Sequence, residues 1–118
     1  MVWNPFRALA ERRREGAAVG SLREYLHRPG HEVTVSPRSR SLIEVSISAS
    51  FKEKKADLER ELRGLVEDPA LAKHLSVQAA GTDFAPKFNI IPAADAKRGK
   101  EILAALYWEL MQLRKKRA

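Results

Sequence analysis

The chain has 118 residues, 44% of them apolar, with six Gly, six Pro and no Cys. This is the composition of a folded globule with one core rather than a disordered chain. The missing cysteine excludes disulfides, thiolate metal sites and cysteine nucleophiles together, and no run reaches the roughly 18 apolar residues of a membrane span. The net charge of +7 is uneven: residues 1–40 carry eight basic against four acidic groups, 41–80 six against seven, and 81–118 eight against four. An excess of +4 therefore sits at each end of a nearly neutral middle, and if the two ends meet in space they make one basic face suited to a polyanion. The N-terminus lacks the basic-then-apolar succession of a secretory leader, so the expectation is a soluble cytoplasmic protein.

Asn4 before Pro5 reads as an N-cap followed by proline at the first helical position, which predicts a helix from Pro5 to about Glu15. Phe6, Leu9 and Ala10 form its apolar stripe, and Gly16 and Gly20 interrupt it. Ser21-Leu22-Arg23-Glu24 has the form of a capping box that restarts a second short helix, ending before Pro29-Gly30. From His31 the period changes to two. Val33 and Val35, then Ile43, Val45 and Ile47, alternate with polar residues on either side of the turn-rich Pro37–Ser41, which predicts a hairpin with one wet face.

Ser50-Phe51-Lys52-Glu53 is a second capping box, and the helix it opens puts Leu58, Leu62, Leu65 and Val66 on one side. Asp68-Pro69 ends that helix and caps another short one carrying Leu71 and Leu75. A second strand pair is expected at Ser76–Ala80 and Phe84–Ile91 around Gly81-Thr82-Asp83, with Phe84, Phe88 and Ile90 pointing into the core, until Pro92 stops it. A long last helix starts near Asp95, with Ile102, Leu103, Leu106, Leu110 and Leu113 on one arc. Trp108 falls opposite the centre of that arc, where the N-terminal helices are expected to cover it.

The order α-α-β-β-α-α-β-β-α, without repeat or linker, predicts an α+β fold: a four-stranded antiparallel or mixed sheet packed by amphipathic helices. It reads as a single domain over 1–118, with a helical segment 1–28 packing on an α+β core over 31–118.

Chemistry-bearing motifs are scarce. His27 and His31 straddle Pro29-Gly30 and share no helical face, so no metal site is expected. Glu44 with Glu53-Lys54-Lys55 has the acid and E-x-K elements of a metal-dependent nuclease, but the E-x-K opens a helix instead of alternating along a strand. No serine stands in a nucleophile elbow or an S-x-x-K helix start. Lys97-Arg98-Gly99-Lys100 lacks the earlier glycine and the following Ser or Thr of a phosphate loop. These absences point to a non-enzymatic protein without cofactor or metal. Val2, Trp3 and Phe6 beside Arg7 are too short a stretch for an interfacial membrane anchor.

The cations remain. Arg12-Arg13-Arg14 has only Glu11 and Glu15 nearby, too few carboxylates to pair all three. Lys97, Arg98 and Lys100 crowd the start of the last helix, where the dipole disfavours cations and favours an anion. Arg114-Lys115-Lys116-Arg117 suits a helix C-terminus and equally a phosphate backbone. The expected nucleic-acid contacts are therefore Arg7, Arg12, Arg13, Arg14, Lys97, Arg98, Lys100, Arg114, Lys115, Lys116 and Arg117. No helix-turn-helix, KH loop, RRM aromatic pattern or zinc finger accompanies them, so the expectation is DNA or RNA backbone contact with little base readout. The competing expectation is a small subunit or adaptor of a bacterial or bacteriophage protein assembly. It would use Trp3, Tyr107, Trp108 and Met111 for a protein partner or a second copy through the C-terminal helix.

Overall fold

The structure, a computed structural model, describes residues 5–28, 33–94 and 96–117, apart from the side chains of Lys52 and Arg117. Among them the elements run α1 (Pro5–His27), β1 (Val33–Ser39), β2 (Leu42–Ile47), a 3-10 segment Ala49–Lys54, α2 (Lys55–Val66), β3 (Leu75–Gly81), β4 (Pro86–Pro92) and α3 (Lys97–Arg117). The strands form one antiparallel sheet in the order β1-β2-β4-β3, and the class is α+β. Asn4, Pro29-Gly30, His31 and Asp95, on which expected boundaries rested, lie outside the described residues.

The first helix is continuous where two were expected. Gly16 and Gly20 each cost a helix interior about 1 kcal/mol relative to Ala, but burial of Ala18, Leu22, Tyr25 and Leu26 in the same helix offsets that cost. Ser21 is mid-helix, and its hydroxyl donates to the Ala17 carbonyl instead of capping a terminus. The second box also fails. α2 begins at Lys55, its cap residue Lys54 makes no side-chain cap, and Phe51 (φ −120°, ψ 19°) breaks the segment before it.

Asp68 does cap, but it caps a run of turns and not a helix: its Oδ1 accepts from the Ala70 N–H at 2.8 Å and its carbonyl from Leu71 and Ala72. Leu71 is fully buried there and Leu75 opens β3. Phe84 is not on a strand. It lies in the turn between β3 and β4, 78% exposed, while Phe88 is in the core. The turn closes with reciprocal Thr82–Ala85 backbone bonds, and Gly81 at φ +79° supplies the left-handed residue it needs.

Residues directly opposite in an antiparallel ladder share a face. Val35, Val45, Phe88 and Ala79 thus lie in one row across the sheet, and Ile43, Ile90 and Val77 in the next. This face joins Leu62, Val66, Ile102, Leu103, Leu106 and Leu110 in one hydrophobic cluster. The opposite face is polar. At its centre Glu44 lies between Ser36 and Asn89 across the ladder, accepting from Arg38 Nε at 2.5 Å and facing Lys87 Nζ at 3.1 Å.

α1 lies on α2 and α3 rather than on the sheet. Arg28, just past α1, donates to Glu61 of α2 at 2.9 Å and sits over the Tyr25 ring. Burial, with help from Glu61, pushes the Tyr25 hydroxyl pKa up. Against α3 the pairs are Glu15 with Arg98 and Glu109 with Arg23, so sequence number rises in the same direction along both helices. α1 and α3 are therefore parallel.

Candidate polyanion-binding surface

Parallel packing of α1 and α3 decides where the cations go. Arg12, Arg13 and Arg14 precede Glu15 and lie at the end of the molecule where α3 begins, whereas Arg114, Lys115 and Lys116 extend past Glu109 at the other end. At 1.5 Å per residue, about 28 Å of helix axis separates Arg13 from Lys115. The two clusters do not merge into one basic face. Lys97, Arg98 and Lys100, in the first turn of α3, join the Arg12–Arg14 end.

The cations fall into two groups by partner. Over the packed region Arg23 binds Glu109 at 2.6 Å, Arg28 binds Glu61, Arg38 and Lys87 bind Glu44, and Arg63 binds Glu59. Arg98 belongs with them: it donates to Glu15 at 2.7 Å and to Glu101 at 3.0 Å, and these bonds raise its pKa further. Arg7 pairs with Glu11 at 3.4 Å on an exposed turn, and Arg14 reaches the Ala10 carbonyl. Arg12, Arg13, Lys97, Lys100, Arg114, Lys115 and Lys116 are exposed and have no ion-pair partner among the described residues. The side chain of Arg117 lies outside the described set.

Gly99 in the Lys97–Lys100 run has a packing role. A Cβ there would stand 1.9 Å from the His74 carbonyl oxygen, so glycine is what lets the first turn of α3 approach the start of β3. A groove of about 780 Å³ opens beside it, between α1 and the turns over 68–74. Its charges are mixed: Arg12, Arg14 and Lys73 stand with Glu11, Glu15 and Asp68, so the groove has no excess of fixed positive charge to draw a polyanion.

The aromatic candidates fare differently. Trp3 lies outside the described residues, and Tyr107 and Met111 are half-buried. Trp108 is 49% exposed and is not covered by α1, contrary to expectation, because α1 packs on the Arg98–Glu109 side of α3. What touches Trp108 is the Arg40 guanidinium, 5.2 Å from the ring centroid, and the edge of Tyr107 at 5.3 Å. Arg40 comes from the β1–β2 turn, 68 positions away in sequence. No local pattern marks it, and sequence reasoning missed it, as it missed Lys73. Among the described residues no group of three His, Asp or Glu could hold a metal ion, and no helix is long and apolar enough to cross a membrane. Compared with protein-family models, curated proteins and solved structures, the chain matches none.

Proposed function

We propose that this chain is a non-enzymatic binding protein that holds nucleic-acid backbone through its two basic ends, with little base readout. One observation carries the reading. Arg23, Arg28, Arg63 and Arg98 are matched to carboxylates, whereas Arg12 and Arg13 at one end and Arg114, Lys115 and Lys116 at the other have no such partner among the described residues. An arginine already in a charge-assisted pair must break it to bind phosphate, while an unpaired one only releases counterions.

The test is binding of mixed-sequence DNA and RNA as salt is raised. Affinity that falls steeply from about 50 to 200 mM salt supports the reading. Absence of binding at the low end overturns it and favours the competing role as a small subunit of a protein assembly, contacting its partner through Tyr107, Trp108 and Met111.

A further inference from the structure

Trp108 is the large apolar side chain of α3 that the fold leaves half exposed. A tryptophan opposite the packed face of a surface helix adds nothing to the core. A disc of this kind is useful to a flat apolar partner that also tolerates positive charge. Three features surround it. The Arg40 guanidinium stands over the ring at 5.2 Å, and Tyr107 meets it edge-on with an interplanar angle of 74°. Lys115, seven residues on, returns to the same face of α3 two turns, about 10.5 Å, away. The carboxylates of α3 are engaged elsewhere: Glu109 faces Arg23 and His27 of α1, and Glu101, seven residues before Trp108 on the same face, is held by Arg98.

A π face, a guanidinium beside it and, further along the same helix, an ammonium with no ion-pair partner among the described residues match a nucleobase and its flanking phosphate. Bases stack on aromatic side chains irrespective of sequence, and an adjacent arginine adds a cation–π contribution. Only an unpaired base offers a free face, since in a duplex the neighbouring pairs occupy both. A protein partner would need an apolar surface, yet the surroundings are positive: Arg40 on the ring, then Arg114, Lys115 and Lys116 at the helix end.

We infer that Arg40, Trp108 and Lys115 form a stacking site for an unpaired nucleobase, which makes single-stranded nucleic acid the preferred ligand. This rests on the backbone-binding reading above and adds the substrate class. Arg40 acts as a positioning residue that holds the ring and fills one side of the site.

The chain has two tryptophans, so Trp3→Phe leaves Trp108 as the sole indole reporter. Titration of that variant with oligo(dT) at about 50 mM salt should quench its fluorescence, while a duplex of equal length should quench it little. Trp108→Ala should weaken oligo(dT) binding about 10-fold and leave duplex binding unchanged, with Trp108→Phe retaining most of the affinity. Circular dichroism checks that the variants fold, and the Trp3→Phe quench still tests stacking if Trp108→Ala does not fold. Equal affinity for strand and duplex, with no quench, overturns the stacking site and leaves backbone binding standing. Failure of both ligands to bind overturns the backbone reading as well. Dimerisation that depends on Trp108, without quenching, gives the face to a second copy and overturns the proposal.

Discussion

Arg98 in the first turn of α3 donates its Nε–H to Oε1 of Glu15 in α1 at 2.7 Å, joining residues 83 positions apart. Arg23 makes the same kind of bond to Glu109 further along at 2.6 Å, and the two together hold α1 parallel to α3. That orientation separates the basic clusters, so the charge pairs that stabilise the helix packing also determine which cations are left for solvent.

The Arg98–Glu15 pair is half exposed on the arginine side, which limits its contribution. A double-mutant cycle with Arg98→Gln and Glu15→Gln should return a coupling of about 0.5–1 kcal/mol in urea unfolding. Hydrogen exchange of α1 amides around residue 15 should rise in either single variant. Zero coupling would mean that the Arg98–Glu15 pair does not help to dock the helix.

Three glycines should behave oppositely. Gly99→Ala drives a methyl into the His74 carbonyl, backbone that cannot rotate away, and should destabilise by about 1–3 kcal/mol. Gly16→Ala and Gly20→Ala meet nothing within 4 Å, and each should stabilise α1 by about 0.5–1 kcal/mol. Thermal melts of the three variants check this, and a neutral Gly99→Ala would contradict the close approach.

Glu44 makes stability depend on pH. The Arg38 hydrogen bond holds its carboxyl below the usual value against the opposing effect of burial, and Lys87 adds to the lowering. With the native pKa below the unfolded one, the native state binds fewer protons. The stabilisation is therefore complete above the unfolded carboxylate value of about 4.3 and is lost as pH falls through the lowered native value. Glu44→Gln should cost about 1–2 kcal/mol at neutral pH and flatten the decline of stability below about pH 4.5. An unchanged acid limb in denaturant titrations would show that Glu44 is not paired as described.

Much of this fold is written in local periodicity. The alternation at Val33–Val35 and Ile43–Ile47 became β1 and β2, and the arc Ile102, Leu103, Leu106 and Leu110 became the buried stripe of α3. What failed were signals that tertiary packing overrides. Gly16 and Gly20 did not end a helix whose later turns are buried, and the Ser21 and Ser50 boxes capped nothing. The candidate site was legible only as composition. That Glu15 neutralises Arg98, 83 positions away, and not the neighbouring Arg12 depends on the parallel packing of α1 and α3, and the partner of Trp108 comes from a turn in another part of the chain.

The most direct test of the division between paired and unpaired cations is the salt slope of single-strand binding in wild type and three double variants. Arg12→Gln/Arg13→Gln and Lys115→Gln/Lys116→Gln should each reduce the slope of log affinity against log salt by about 1.4, at roughly 0.7 per lost phosphate contact. With the clusters about 28 Å apart along the helices, the two losses should add. Arg28→Gln/Arg63→Gln removes two cations already held by carboxylates and should leave the slope as in wild type. Equal slopes in all four proteins, or the largest loss in the paired variant, would contradict the account.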